Sequence, residues 1–206
     1  FQEGGRPANF HGTDLCDGWA MLHDGMNYIL ASREILCDLV EVHGRVIPWD
    51  GMVLISSCDK SVPAHLMAAA RLNIPAMHIP GGSNRIGPHM SHSVLVGDTA
   101  TKMRQGEDVS QQIRDFKLSG CPGFGACQFM GTASTMQCMS EALGMTIPGA
   151  ALTPASLFDI RRGARQTGEQ IMNLTRKGIM PADILTQAAF ENAIRVHAAI
   201  SGSTNA

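Results

Sequence analysis

No stretch of this sequence stays apolar long enough to cross a bilayer. The longest apolar runs, Met52 to Ser57 and Ala64 to Ala70, fall well short of the ~20 residues that a spanning helix needs. No basic segment followed by an apolar one opens the chain, so no secretory leader is read. Neither sign of charge dominates: 16 Lys and Arg stand against 18 Asp and Glu, a net charge of −2, which offers no basic footprint for nucleic acid. A disulfide framework is missing too, since the six cysteines (Cys16, Cys37, Cys58, Cys121, Cys127 and Cys138) are irregularly spaced in a chain of 206 residues. Metal binding or buried thiols are what remain for them. There is no internal repeat and no low-complexity segment. With 44% hydrophobic residues, the composition suits one cytoplasmic globular domain with a sizeable core, needing no membrane and no nucleic acid. The chain begins at Phe1 without Met and stops at Ser203-Thr204-Asn205-Ala206, so a piece of a longer protein is expected.

What is present is an alternation of strand and helix signals. Met52 to Ile55 is an apolar run between Asp50-Gly51 and Ser56-Ser57, which predicts a short buried strand. Pro63 falls in the first turn of a helix predicted over Val62 to Leu72, rich in Ala and closed by Asn73 and Pro75. Ala76 to Ile79 predicts a second buried strand, ended by Pro80-Gly81-Gly82. This order points to an α/β fold with a parallel-sheet core and flanking helices, in which ligands sit beyond the carboxyl ends of the strands. Upstream, a helix is predicted over Met26 to Val42 and stopped by Gly44 and Pro48. Ser83 to His92 reads as a loop, followed by two amphipathic helices before Gly120. Gly120 to Gly131 is glycine-rich; Met136, Met139 and Leu143 then recur at helical spacing as far as Gly144. The last third predicts one helix carrying Leu157, Ile160, Ala164, Ile171 and Leu174, and another from Ala182 to Ala199.

Three clusters could carry chemistry. Ser57-Cys58-Asp59-Lys60 places a thiol, a carboxylate and an amine side by side at a strand end. Thiolate suits iron and iron-sulfur centres and carboxylate suits magnesium, so the tripeptide makes sense at the border of two metal sites. The alternative is a buried cysteine beside a surface ion pair. Cys121-Pro-Gly-Phe-Gly-Ala-Cys127 is the second, a loop whose glycines leave room for a cluster; its spacing is neither a zinc pair nor a ferredoxin run, and a glycine-rich turn into the next helix explains it equally. The third, Cys16-Asp17-Gly18 with Asp14 close by, offers a carboxylate to magnesium or forms an ordinary turn. Cys37 and Cys138 lie in helical patterns and read as core residues.

Several stretches resemble, in order, the family of dihydroxy-acid, phosphogluconate and aldonic-acid dehydratases. They are Cys58-Asp-Lys-Ser-Val-Pro, Arg71-Leu-Asn-Ile-Pro-Ala, Pro80-Gly-Gly, Gly125-Ala-Cys127-Gln-Phe-Met-Gly-Thr-Ala-Ser-Thr-Met136, Glu141-Ala-Leu-Gly-Met and Phe190-Glu-Asn-Ala-Ile with Gly202-Ser-Thr-Asn-Ala206. The resemblance runs over nearly the whole chain. It implies the N-terminal domain of a two-domain dehydratase, spanning residues 1–206. Cys58 and Cys127 are then thiolate ligands of an iron-sulfur cluster, with 2Fe-2S favoured over 4Fe-4S. Asp17 and Asp59 bind Mg2+, and Lys60 matches a lysine that is carbamylated, turning a cation into an anionic oxygen ligand. Cys121 has no assured counterpart. The family's third cluster cysteine lies upstream of Gln2-Glu-Gly-Gly, and a further magnesium glutamate and the serine base lie in a C-terminal domain, so these residues hold part of a site. Cys16 stands as a weaker candidate for the third ligand.

The implied function is a hydro-lyase that dehydrates a sugar acid or 2,3-dihydroxy acid to a 2-keto(-3-deoxy) acid. Gln128-Phe129 and Cys16-Asp17-Gly18 lean toward the sugar-acid branch. The implied partners are the small hydroxy-acid substrate and other copies of the chain, as a homodimer or homotetramer. A non-catalytic iron-sulfur module for redox or sensing is the rival reading, although electron transfer has no use for an Asp-Lys pair directly after a cluster cysteine. A metal-free α/β binding domain with buried thiols is the third.

Overall fold

The computed structural model describes residues 1–20, 23–92 and 95–206, apart from the side chain of Val96. The central strand, helix, strand unit is present: β1 (Met52–Ser56), then a helix over Ser61–Leu72, then β2 (Ala76–Pro80). The two strands run parallel, with Met52 opposite Ala76 and Ser56 opposite Pro80. Two further helices precede β1, a single turn α1 (Asp17–Ala20) and α2 (Met26–Val46), so the crossover helix is α3. The remaining helices are α4 (Leu95–Arg104), α5 (Ser110–Ser119), α6 (Thr132–Ala142), α7 (Asp159–Lys177), the short α8 (Pro181–Ile184) and α9 (Gln187–Ala199). A 3-10 turn, Pro88–Met90, interrupts the predicted loop after β2. No helix among the described residues is long and apolar enough to cross a membrane.

The main core lies where α2, α3, α6 and α9 meet, and it contains Leu36, Cys37, Val40, Val62, Ala68, Ala69, Cys138, Met139, Met145 and Ala193. Cys37 and Cys138 are therefore buried thiols, as their helical settings suggest. Small residues on α3 let its neighbours approach closely. At Gly44 a Cβ would lie 2.5 Å from the Leu72 side chain, which explains why α2 does not stop there but continues to Val46: the glycine is a packing residue of the α2 and α3 contact, not a terminator. Asn73 closes α3 in the left-handed conformation at φ 47°, one that asparagine tolerates. Its side-chain oxygen accepts from Ala182 N at 3.0 Å.

Three other expectations are corrected. β1 is buried on one face only: Met52, Leu54 and Ser56 point inward, whereas Val53 and Ile55 are exposed, because α7 lies mainly against β2. The final helix is broken in two, with Thr186 capping α9 by accepting from Ala189 N at 3.3 Å. The face of α7 carrying Thr167, Ile171 and Leu174 is buried, but the helix starts at Asp159, leaving Leu157 outside it and exposed.

Candidate metal centre

Ser57, Cys58, Asp59 and Lys60 occupy the turn between β1 and α3, at the carboxyl end of the strand. Three contacts fix this turn. Ser57 Oγ accepts from Gly81 N at 2.8 Å, tying it to the end of β2. Gln137 of α6 donates to the Ser57 carbonyl at 2.9 Å. The Cys58 N–H donates to Ser61 Oγ at 3.3 Å, and that hydroxyl donates to Asp14 Oδ2 at 2.8 Å. The segment before α1 is thereby drawn onto the strand end. As a result, one ligand atom each from Cys16, Asp17 and Cys58 lie within 4.8 Å of one another.

Asp59 and Lys60 stand beside this group. Both are buried, at 2% and 6% exposure, and Lys60 Nζ lies 2.7 Å from Asp59 Oδ2. The same oxygen accepts from Asn205 Nδ2 at 3.2 Å. The other oxygen, Oδ1, is buried without a hydrogen-bond partner. A buried carboxylate oxygen left unmade costs ~1–3 kcal/mol or more, so this atom calls for a further positive partner. The donor set therefore fits a hard cation at Asp59 and a soft one at the sulfurs. Burial, and then repulsion from Asp59, raises the Asp17 carboxyl; burial also raises Asp14, outweighing its bond from Ser61. Burial and the negative charge of Asp14 push the Cys58 thiol up to about 12. In all three groups burial is the leading cause, and it disfavours the charged form.

Cys127 lies in the glycine-rich loop before α6, at the same end of the sheet. The loop is held there by Ala126, whose N–H donates to Gly82 O at 2.9 Å and whose carbonyl accepts from Asn84 N at 2.8 Å. Gly82 adopts φ +86°, and a Cβ on it would lie 2.6 Å from Ala155 N and Thr153 O, so only glycine fits this crossing. Cys127 and Asp59 fall outside the 4.8 Å donor group. Of the residues singled out in sequence, the structure thus brings Asp17 to Cys58 and Asp59 to Lys60, and sets Cys127 on a separate loop at the same strand ends. Gln128 spans that loop, donating to Gly120 O at 2.6 Å, with its amide 3.9 Å from both the Cys121 and the Cys127 sulfurs. In the sequence, Asn205 and Ser61 stand out only as parts of stretches that resemble the family, and Gln137 only as part of a helical one. For Ser61 and Gln137, both buried, the signal is the polar side chain itself, since a buried one needs a partner; Asn205 is exposed and carries no such signal. An open cleft of about 870 Å³, bordered by residues 1–9, Val53, Ile55 and Met172, lies elsewhere, over the exposed face of β1.

The dihydroxy-acid/6-phosphogluconate dehydratase N-terminal family matches residues 1–206, and the chain belongs to that family. Among individual relatives, it is 44% identical over 205 residues to a dihydroxy-acid dehydratase of Moorella thermoacetica, covering 98% of this chain and 37% of that protein. It is 43% identical to one of Halothermothrix orenii (100% of this chain, 38% of the relative) and 45% identical to one of Thermodesulfovibrio yellowstonii (98% and 38%). The chain thus spans less than two fifths of the length of these relatives.

Proposed function

We propose that this chain is the metal-holding portion of a hydro-lyase that removes water from a 2,3-dihydroxy acid to give a 2-keto acid. The observation that carries the reading is the buried Asp59 and Lys60 pair, with its unpartnered carboxylate oxygen, directly after a thiol at a strand end. The names of the relatives support a dihydroxy acid as substrate. The lean toward sugar acids gains nothing from Gln128, whose side chain is engaged within its own loop.

In this reading Cys58 and Cys127 hold an iron-sulfur cluster of the 2Fe-2S type, and Asp17, Asp59 and carbamylated Lys60 hold Mg2+. When bound, these groups supply Lewis acidity toward the hydroxyl and carboxylate oxygens of the substrate. The protein's own part is positioning. Asn205 orients Asp59 by donating to Oδ2, Ser61 fixes Asp14 and the Cys58 backbone, and Gln137 pins the strand end. Carbamylation of Lys60 would replace the ammonium facing Asp59 by a second anion, so modification and cation binding must go together. The base that takes the C2 proton is assigned to the remainder of the enzyme. A homodimer or homotetramer belongs to the same proposal, supported by the exposed Trp19, Tyr28, Ile35 and Val46 along α1 and α2.

The test is keto-acid formation by the full-length protein, assayed with 2,3-dihydroxy-isovalerate and several aldonates, together with iron and sulfide content. Dehydration of the dihydroxy acid by iron-containing protein supports the reading. Stoichiometric iron and sulfide without dehydration of any of these acids would favour the redox or sensing module.

A further inference from the structure

The proposed function uses Cys58 and Asp17 for two different metals and gives Cys16 no role. Yet the structure places all three together: Cys16 Sγ, Cys58 Sγ and an Asp17 carboxylate oxygen lie within 4.8 Å of one another. Ligands around one tetrahedral ion with ~2.3 Å bonds to sulfur are spaced by about 3.8 Å, so a small contraction closes this group on a single ion. Cys16 is exposed and Asp17 and Cys58 are half-buried, which gives an ion a path in from solvent and leaves a coordination position open. Cys127 is outside the group, so the compact donor set is distinct from the pair of cluster thiolates.

We propose that Cys16, Asp17 and Cys58 form a site for one thiophilic divalent ion of the zinc type, filled when the cluster is absent. Binding releases the two thiol protons to solvent and leaves two thiolates and one carboxylate on the ion, an anionic, sulfur-rich set suited to zinc over magnesium. The consequence rests on the function proposed above. An ion held here takes one cluster thiolate and one magnesium carboxylate at once, so it blocks both cofactors. Cys16 is the residue that makes the competition possible.

The experiment uses Co2+ as the probe, titrated anaerobically into full-length protein freed of its cluster. Expected is a thiolate-to-cobalt charge-transfer band that saturates at one ion per chain and is reversed by Zn2+. Cys16→Ser loses the band, Cys127→Ser and Cys121→Ser keep it, and circular dichroism shows the variants folded. Preloading with Zn2+ prevents the return of cluster absorbance on reconstitution in the wild type, and does so far less in Cys16→Ser. A band that persists in Cys16→Ser, or one that vanishes in Cys127→Ser while Cys16→Ser retains it, overturns the proposal. Absence of any band does the same. Failure of the dehydratase reading shows separately, as iron-containing protein that dehydrates nothing, and leaves the cobalt spectra unaffected.

Discussion

Two buried polar clusters lie a few residues apart in this molecule, and they are built on opposite terms. Around His78, in the middle of β2, every ring nitrogen has a partner: Nε2 meets Ser56 Oγ at 2.9 Å, while Nδ1 meets Ser140 Oγ at 2.9 Å and Thr146 Oγ1 at 3.1 Å. The two hydroxyls are bonded to each other at 2.7 Å, and Thr146 donates back to the His78 carbonyl at 3.1 Å. Around Asp59, one carboxylate oxygen carries both contacts and the other has none. A satisfied network adds rigidity and asks for nothing more, whereas a half-satisfied one is costly unless a ligand completes it. The first cluster ties β1, β2 and α6 together. The second faces the strand ends, where a cofactor can reach it.

The largest expected effect falls on the unsatisfied side. Cys58→Ser and Cys127→Ser in the full-length enzyme each remove the visible cluster absorbance and abolish dehydration, since a hydroxyl is a poor replacement for thiolate on iron. Cys37→Ser and Cys138→Ser keep both, with packing losses only. Iron content and keto-acid formation measure the difference, and retention of both in Cys58→Ser would break the comparison at its centre.

Lys60→Arg comes next. It preserves the charge beside Asp59 but can neither be carbamylated nor ligate a cation, so the variant should fold with a near-complete loss of activity. Intact mass of the wild type, prepared with Mg2+ and bicarbonate, should show the added carbon dioxide; an active enzyme with an unmodified Lys60 would contradict this.

On the satisfied side the expected loss is stability, not chemistry. His78→Phe strands the Ser56 hydroxyl in the core and removes the ring nitrogen that Ser140 and Thr146 share, and should cost ~2–4 kcal/mol in denaturant unfolding. Leaving a stable protein would mean that the network is not what joins the strands to α6.

Acid sharpens the same contrast. Burial holds the His78 imidazole down at about 3, helped by His65, and burial alone holds His65 at about 4. The unfolded chain binds these protons near pH 6.5, so it gains more protons than the native state as pH falls. Stability is therefore full above about pH 6.5 and declines below it, by roughly 2 kcal/mol per imidazole between pH 7.5 and 5. Denaturation midpoints across that range measure it, and His78→Phe should flatten the slope. The smallest effect is expected for Asn205→Ala, which removes one bond to Asp59 and should weaken Mg2+ binding several-fold, a change of about 1 kcal/mol, read as a shift in the Mg2+ dependence of activity.

The local pattern of residues determined a good deal: the apolar run at Met52, the alanine-rich stretch of α3 and the buried Ala76 to Ile79 segment specify a parallel unit, and Cys58, Asp59 and Lys60 necessarily fall at its carboxyl end. Their place in helical patterns also marked Cys37 and Cys138 as core. Distance could not be read this way. That Gly44 packs against Leu72 and does not end a helix, and that Val53 and Ile55 stay exposed, depends on where α3 and α7 lie. So does the meeting of Cys16 and Asp17 with Cys58, some forty residues on in the chain, and of Asn205 with Asp59 from the far end of it. Periodicity and turn chemistry act between neighbours, so the sequence carries them on its face. The completeness of a buried hydrogen-bond network depends on partners far apart in the chain, and only the tertiary structure decided which carboxylate oxygen would be left without one.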